Sequence, residues 1–224
     1  MSNDVAKARR KRTTREEMKQ QSREALVDAA LELFAEQGID GPSLDAICDR
    51  AGYTRGAFYI HFADREELLV AVMDRVGAAY LGSVFAGLSG GAVAPRRGRR
   101  FQHAADRFVA SVRHGDYPLM SSSPKGPLVR MHQLLEACAR AKLVRERYKN
   151  LVVTAMSYVS DLVAADQRDT GIRPDVEPDA VASLSLAIII GAQTMAELGI
   201  RLDPALLSRT IERMLSSRAE GASH

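Results

Sequence analysis

The sequence predicts an all-α protein, with a small N-terminal three-helix unit followed by a larger helical bundle. Apolar residues recur three and four positions apart through most of the 224 residues, the spacing of one face of a helix. No run of alternating β-branched residues appears. Glycines, prolines and short polar residues fall where the apolar stripes stop, as helix ends require. A hydrophobic content of 46% is enough to bury a sizeable core.

The first 23 residues carry eight Lys/Arg against three Asp/Glu, although the whole chain is only +3. Residues 1–22 therefore read as a basic, flexible arm suited to phosphates, of nucleic acid or of a membrane surface. From Arg23 to Gln37, Leu26, Ala29, Ala30, Leu33 and Phe34 form one stripe, and Gly38 supplies a left-handed stop. Ser43 caps a short helix whose Leu44, Ile47, Cys48 and Ala51 face inward, and Gly52 closes it. Thr54 caps a second short helix over Arg55 to Ile60. Helix, tight glycine turn, helix is the helix-turn-helix signature. Asp64 with Glu67 forms a capping box that opens a helix running toward Leu81. The domain boundary is expected inside this helix, giving residues 23–70 to the small domain and 71–224 to the bundle.

Two stretches, 87–100 and 115–127, are rich in Gly, Pro and Ser and read as loops. Helices are expected near Phe101 to His114, Leu128 to Arg140, Leu143 to Asp166, Asp179 to Leu198 and after Asp203-Pro204. The span from Leu184 to Ala192 is apolar nearly all round, so it needs cover on two sides. The uncharged run between Asp179 and Glu197 is interrupted by Ser183, Ser185, Gln193 and Thr194, and reads as a buried helix with no membrane partner. No secretory signal precedes the charged N-terminus, so a cytoplasmic protein is expected. Cys48 and Cys138 stand alone, without a disulfide or zinc spacing. No metal-binding motif, nucleophile elbow or Gly-rich phosphate loop is present, so no cofactor and no enzymatic activity are expected.

The segment "AGYTRGAFYIHF", residues 51–62, concentrates rings in a chain that is 5% aromatic. Helical geometry puts Phe58 and Phe62 on one inward face and turns Tyr59 and His61 away, toward a phosphate backbone. Thr54, Arg55, Gly56 and Ala57 occupy the end of the helix that enters a major groove, where Arg55 suits guanine and the two small residues permit close approach. Ile60 suits a thymine methyl. Arg65 sits at a helix N-terminus, where the dipole disfavours a cation by about 0.3–1 kcal/mol, a cost that a DNA phosphate shared with His61 would reverse.

From about Glu24 to Val70, with "ALELFAEQGIDGPSLDAICDRAGYTRGAFYIHFADREELL" at its centre, the chain resembles the DNA-binding domain of the TetR family of bacterial transcriptional regulators. The resemblance rests on a helix ending in F-x-x-x-G, then T/S-x-x-x-I-A, A-G-V-S-x-G-x-L/F-Y-x-H/Y-F and a closing K-E-x-L. It implies a phosphate-contacting hydroxyl at Ser43, groove-facing residues at Thr54, Arg55 and Gly56, a backbone-gripping Tyr59, and further contacts from His61 and Arg65. Tyr53, Cys48, Ile60 and Arg65 depart from the family's usual valine, alanine, polar or aromatic residue, and lysine. Beyond residue 85 the likeness is loose.

The same resemblance implies a homodimer on a palindromic double-stranded operator, released by an unidentified small molecule held in the bundle. Candidate ligand contacts are Phe108, Met120, Met131, Leu135, Cys138, Met156, Tyr158 and Leu162, a mixture of flexible apolar and polar groups. Candidate dimer contacts are Leu184, Ile188, Gly191, Ala192, Met195, Leu207, Ile211 and Met214. Two alternatives remain open: an activator or ligand-independent regulator of the same fold, and a helical interaction module binding acidic partners or membranes through its arm.

Overall fold

A computed structural model describes residues 2–85, 97–113, 122–123, 126–127, 130–200 and 202–216. The described residues form helices α1 (Ser2–Gln37), α2 (Leu44–Ala51), α3 (Arg55–Tyr59), α4 (Arg65–Phe85), α5 (Arg100–Arg113), α6 (Met131–Arg140), α7 (Lys142–Arg168), α8 (Pro178–Glu197) and α9 (Pro204–Leu215). A minimal antiparallel ladder, β1 (Ser122–Ser123) with β2 (Gly126–Pro127), pairs Ser122 with Pro127 and Ser123 with Gly126. The all-α class predicted from the spacing is the class observed.

The basic arm is a correction. Residues 2–22, expected to be flexible, continue the first helix without a break, so α1 is 36 residues long rather than starting at Arg23. The physical reason lies in the composition: Lys, Arg, Glu, Gln, Met and Ala are strong helix formers, and no Gly or Pro interrupts them. An i,i+4 bond from Gln20 Nε2 to Glu24 Oε1 at 2.8 Å ties this segment to the next turn.

Chain ends behave as their residues dictate. Gly38 and Gly52 adopt φ of +77° and +75°, the left-handed region that only glycine enters cheaply. Ser43 Oγ accepts from the Ala46 amide at 3.1 Å, and Thr54 Oγ1 from the Ala57 amide at 3.3 Å. At the start of α4, Asp64 Oδ1 accepts from the Glu67 amide at 2.9 Å, while Glu67 Oε2 reaches back to the Ala63 amide at 2.6 Å.

One apolar core runs through α1 to α4 and on into α6 and α7. Leu26, Phe34, Ile47, Phe58, Phe62, Leu68 and Val72 share it with Met131, Leu134, Ala137, Cys138 and Val144. The expected division at residue 70 is therefore no gap in packing: α4 crosses it unbroken, and α6 closes the small domain's open side. Polar ties follow the same seam. Arg75 pairs with Asp28, Arg147 with Asp74, and Arg140 Nη2 with Asp40 Oδ1 at 2.7 Å. At Gly77 a methyl group would stand 3.0 Å from Leu151, so the missing side chain lets α4 lie close on α7.

A second core of Phe101, Val163, Ile172, Val181 and Leu215 joins α5, α7, α8 and α9. Its polar anchor is Asp166, 1% exposed, which accepts from the Phe101 amide at 2.8 Å and from Arg100 Nη1 at 3.2 Å. Arg100 also binds Asp169 at 2.6 Å and pulls that carboxyl below its ordinary range. The buried charge is thus paired and hydrogen-bonded, the condition under which burial is tolerated.

Candidate nucleic-acid interface

Folding places α3 by one residue above all: Phe58 is fully buried, 5.4 Å from the Phe62 ring and edge-on to Tyr59 at 5.3 Å. With Phe58 turned in, the helical repeat turns its neighbours out. Tyr59 and Ile60 are 57% and 67% exposed, and Thr54, Arg55 and Gly56 are exposed beside them. Ala57 is half-buried. Arg55 Nε pairs with Asp45 Oδ1 at 2.8 Å, an exposed contact that holds the guanidinium over α2 and that a base edge can displace. Ser43 is exposed at the start of α2. Six sequence-predicted residues, Ser43, Thr54, Arg55, Gly56, Tyr59 and Ile60, therefore lie on the outer surface of two short consecutive helices.

His61 and Arg65, by contrast, make their contacts inside the protein. His61 Nε2 lies 2.7 Å from Ser22 Oγ on α1, and Ser22 in turn donates its hydroxyl proton to the Lys19 carbonyl at 2.9 Å. With that proton committed, the ring nitrogen is the donor, so His61 fastens the turn after α3 to α1. Burial, then the nearby Lys19 and Arg23 charges, push its pKa down. Arg23 itself lies over the Phe62 ring at 5.0 Å.

Arg65 was expected to offset the α4 dipole with an external anion. Its two terminal nitrogens instead donate to the Pro42 and Ile39 carbonyls, and the guanidinium lies 5.5 Å from the Phe34 ring centre. Burial lowers its pKa, an effect that the Asp40 charge partly opposes. Two internal carbonyl dipoles meet the need that sequence reasoning gave to DNA, because contacts across 23 and 26 residues are invisible in a helical pattern.

The bundle residues divide as well. Met131 and Cys138 are buried in the core shared with the small domain, where burial raises the Cys138 thiol's pKa. Leu135 and Tyr158 are half exposed, while Phe108, Met156 and Leu162 are half-buried on α5 and α7. Met120 lies outside the described residues. On α8 and α9, Leu184, Met195 and Met214 are exposed, and Ile188, Gly191, Ala192 and Leu207 are half-buried. Ile211 leans on the second core and so faces inward in part. Among the described residues, no three His, Cys, Asp or Glu side chains converge as a metal site would need.

Residues 26–72 match the model of the tetR family of bacterial regulatory proteins. This segment is similar to TetR-family regulators. Over 54 residues it is 46% identical to the HTH-type transcriptional regulator SrpR of Pseudomonas putida, a match covering 24% of this chain and 25% of SrpR. The chain thus spans about a quarter of that relative's length in sequence. The fold likeness reaches much further. Escherichia coli NemR in its reduced form superposes with a TM-score of 0.69 at 18% identity, over 88% of this chain and 100% of NemR. SmeT, the repressor of the Stenotrophomonas maltophilia multidrug efflux pump SmeDEF, superposes at 0.65 and 20% identity, over 89% and 93%. At such identities the fold alone is what is shared. The matched sequence coincides with the helix-turn-helix surface just described.

Proposed function

We propose that this protein is a cytoplasmic transcriptional repressor that reads a palindromic operator as a homodimer and is released by a small molecule. The observation carrying DNA reading is that α3 exposes Thr54, Arg55, Gly56, Tyr59 and Ile60 together while Phe58 behind them is fully buried. A rigid five-residue helix that spends its outer face on a guanidinium, a phenol and an apolar side chain is shaped for a groove rather than for water. Arg55 would reach guanine, Tyr59 and Ser43 the backbone, and Ile60 a thymine methyl. Repression is supported by the fold likeness to SmeT, itself described as a repressor.

Release follows from the shared core. An effector held among the half-buried Phe108, Met156 and Leu162 of α5 and α7 would move α7, and α7 packs on α4 and α6. The effector must bind better to a state in which the two reading helices no longer match grooves one helical turn, or a multiple, apart.

Selection of bound duplexes from a random pool tests the reading, and a recovered palindrome is the expected result. On that duplex, Arg55→Ala and Tyr59→Phe should each weaken binding, Arg55→Ala by roughly 1–3 kcal/mol. If a dimer neutralises about ten phosphates, log K should fall against log salt with a slope near −9. Unchanged affinity in both variants would place DNA reading elsewhere.

A further inference from the structure

Arg65 occupies a position where the family resemblance implies a phosphate-gripping lysine, yet its side chain is spent inside the protein. Its forked guanidinium spans the turn between α1 and α2, one terminal nitrogen on the Ile39 carbonyl and the other on the Pro42 carbonyl. Phe34 backs the fork, and neighbouring Asp40 is itself held by Arg140 of α6 at 2.7 Å. The turn has little support of its own. Apart from the 2.9 Å bond that ends α1 at Gly38, its internal backbone bond is a long one, Gly41 to the Gly38 carbonyl at 3.4 Å.

Pro42 directly precedes Ser43, the N-cap of α2, so fixing the Pro42 carbonyl fixes where α2 begins and where the Ser43 hydroxyl stands. Through the Gly52 turn, α2 in turn carries the Thr54 end of α3. We propose that Arg65 is a positioning residue of the DNA-reading surface, acting as a two-pronged clamp on the 39–42 turn and not as a phosphate contact. The inference rests on the DNA-reading function proposed above. A lysine cannot reproduce the clamp, because one ammonium tip does not span two carbonyls and does not lie flat on a ring.

The test uses the full-length protein and a duplex recovered by selection, with Arg65→Lys, Arg65→Met and Ser43→Ala, at a temperature where each variant is folded by circular dichroism. The clamp predicts that Arg65→Lys, though still cationic, loses at least tenfold in affinity. Arg65→Met should lose a similar factor while the salt slope stays that of the wild type. Ser43→Ala should cost less in the Arg65→Lys background than alone, since the hydroxyl it removes is already misplaced. Wild-type affinity in Arg65→Lys, or a slope flattened by about 2 per dimer in Arg65→Met, is the signature of one direct phosphate contact per protomer and overturns the clamp.

Should the variants not fold, nitrogen-15 spectra of the wild-type arginine side chains decide. Slowed guanidinium rotation at Arg65 in the DNA-free protein, unchanged when duplex is added, supports the clamp. Rotation that slows only on DNA addition overturns it. Absence of any wild-type binding overturns the DNA-reading function and the clamp together, whereas wild-type binding with an unaffected Arg65→Lys overturns the clamp alone.

Discussion

A methyl group built on Gly56 would meet only Thr54 Oγ1, at 3.7 Å, and the backbone there is ordinary helix, so folding does not ask for glycine at this position. The contrast with Gly38 and Gly52, which need their positive φ, fits the proposal that an outside surface approaches α3 here. Gly56→Ala is accordingly expected to raise stability by about 0.4–1 kcal/mol through a less entropic unfolded chain, while weakening operator binding. Thermal melts beside gel shifts check this, and a variant that melts higher yet binds as the wild type would remove Gly56 from the interface. His61 carries a different prediction. Its folded pKa lies below the ordinary 6.5, burial first and the Lys19 and Arg23 charges next. The unfolded chain therefore takes up the proton first as pH falls, so stability present above pH 6.5 is lost on acidification through the window below it. The carboxyls of Asp169, Asp175 and Glu197, held low by their partners, lose their contribution only in more acid solution. His61→Gln should flatten the melting-temperature profile just below pH 6.5. An unchanged profile in that variant would assign the acid sensitivity to other groups.

Among elements, α6 meets the turn that ends α1 at Gly38. A side chain at Gly38 would bring Cβ to 2.5 Å from Gln133 Nε2, and Gln133 Oε1 is buried without a hydrogen-bond partner. Gly38→Ala thus faces two separate penalties, a left-handed backbone worth about 1–2 kcal/mol and a collision with α6. Removing Gln133 deletes the collision and an unsatisfied buried carbonyl, so Gln133→Ala should be close to neutral alone. Combined with Gly38→Ala it should recover the collision part and leave only the backbone part. Denaturant melts of the four proteins measure the coupling, and strict additivity would mean that α6 does not abut the turn in solution. Gly38 shows how far the sequence can be read: its helix stop was legible because local chemistry dictates it, and so were the caps at Ser43, Thr54 and Asp64. The contact with Gln133, 95 positions away, leaves no local trace. The same limit hid Arg65 on Ile39 and Pro42 and His61 on Ser22, so the outward face of α3 was readable and the inward turn of the two side chains flanking it was not. The helical arm escapes a reading by charge for the opposite reason: its charge density suggests a flexible tail, while its composition favours helix.

For the molecule as a whole, α8 poses the remaining problem, since the described residues leave part of it uncovered. It packs along α7 and buries Val181, Ala182 and Gln193, while Leu184 and Met195 stay exposed beside Leu206 and Met214 of α9. By length and composition alone Pro178–Glu197 would also suit a membrane. The hydroxyls of Ser183, Ser185 and Thr194 donate to carbonyls one turn back, at 2.8, 2.7 and 3.0 Å, so they enter an apolar contact already satisfied. A methyl group at Gly191 would meet nothing within 4 Å, which leaves the face open for a close helix–helix approach. A second copy offering the same face about a two-fold axis would cover both exposed stripes at once. The wild type is therefore expected to sediment as a dimer. Leu184→Glu with Met214→Glu places unpaired carboxylates in that interface, at a cost of about 3–5 kcal/mol for an uncompensated buried charge, which weakens pairing by more than a hundredfold. Both positions are exposed in the single chain, so helical content should be preserved while the dimer dissociates and affinity for a palindromic duplex falls toward that for a half-site. A wild type that sediments as a monomer, or a double variant that stays dimeric, would mean that these two helices face something other than a second copy.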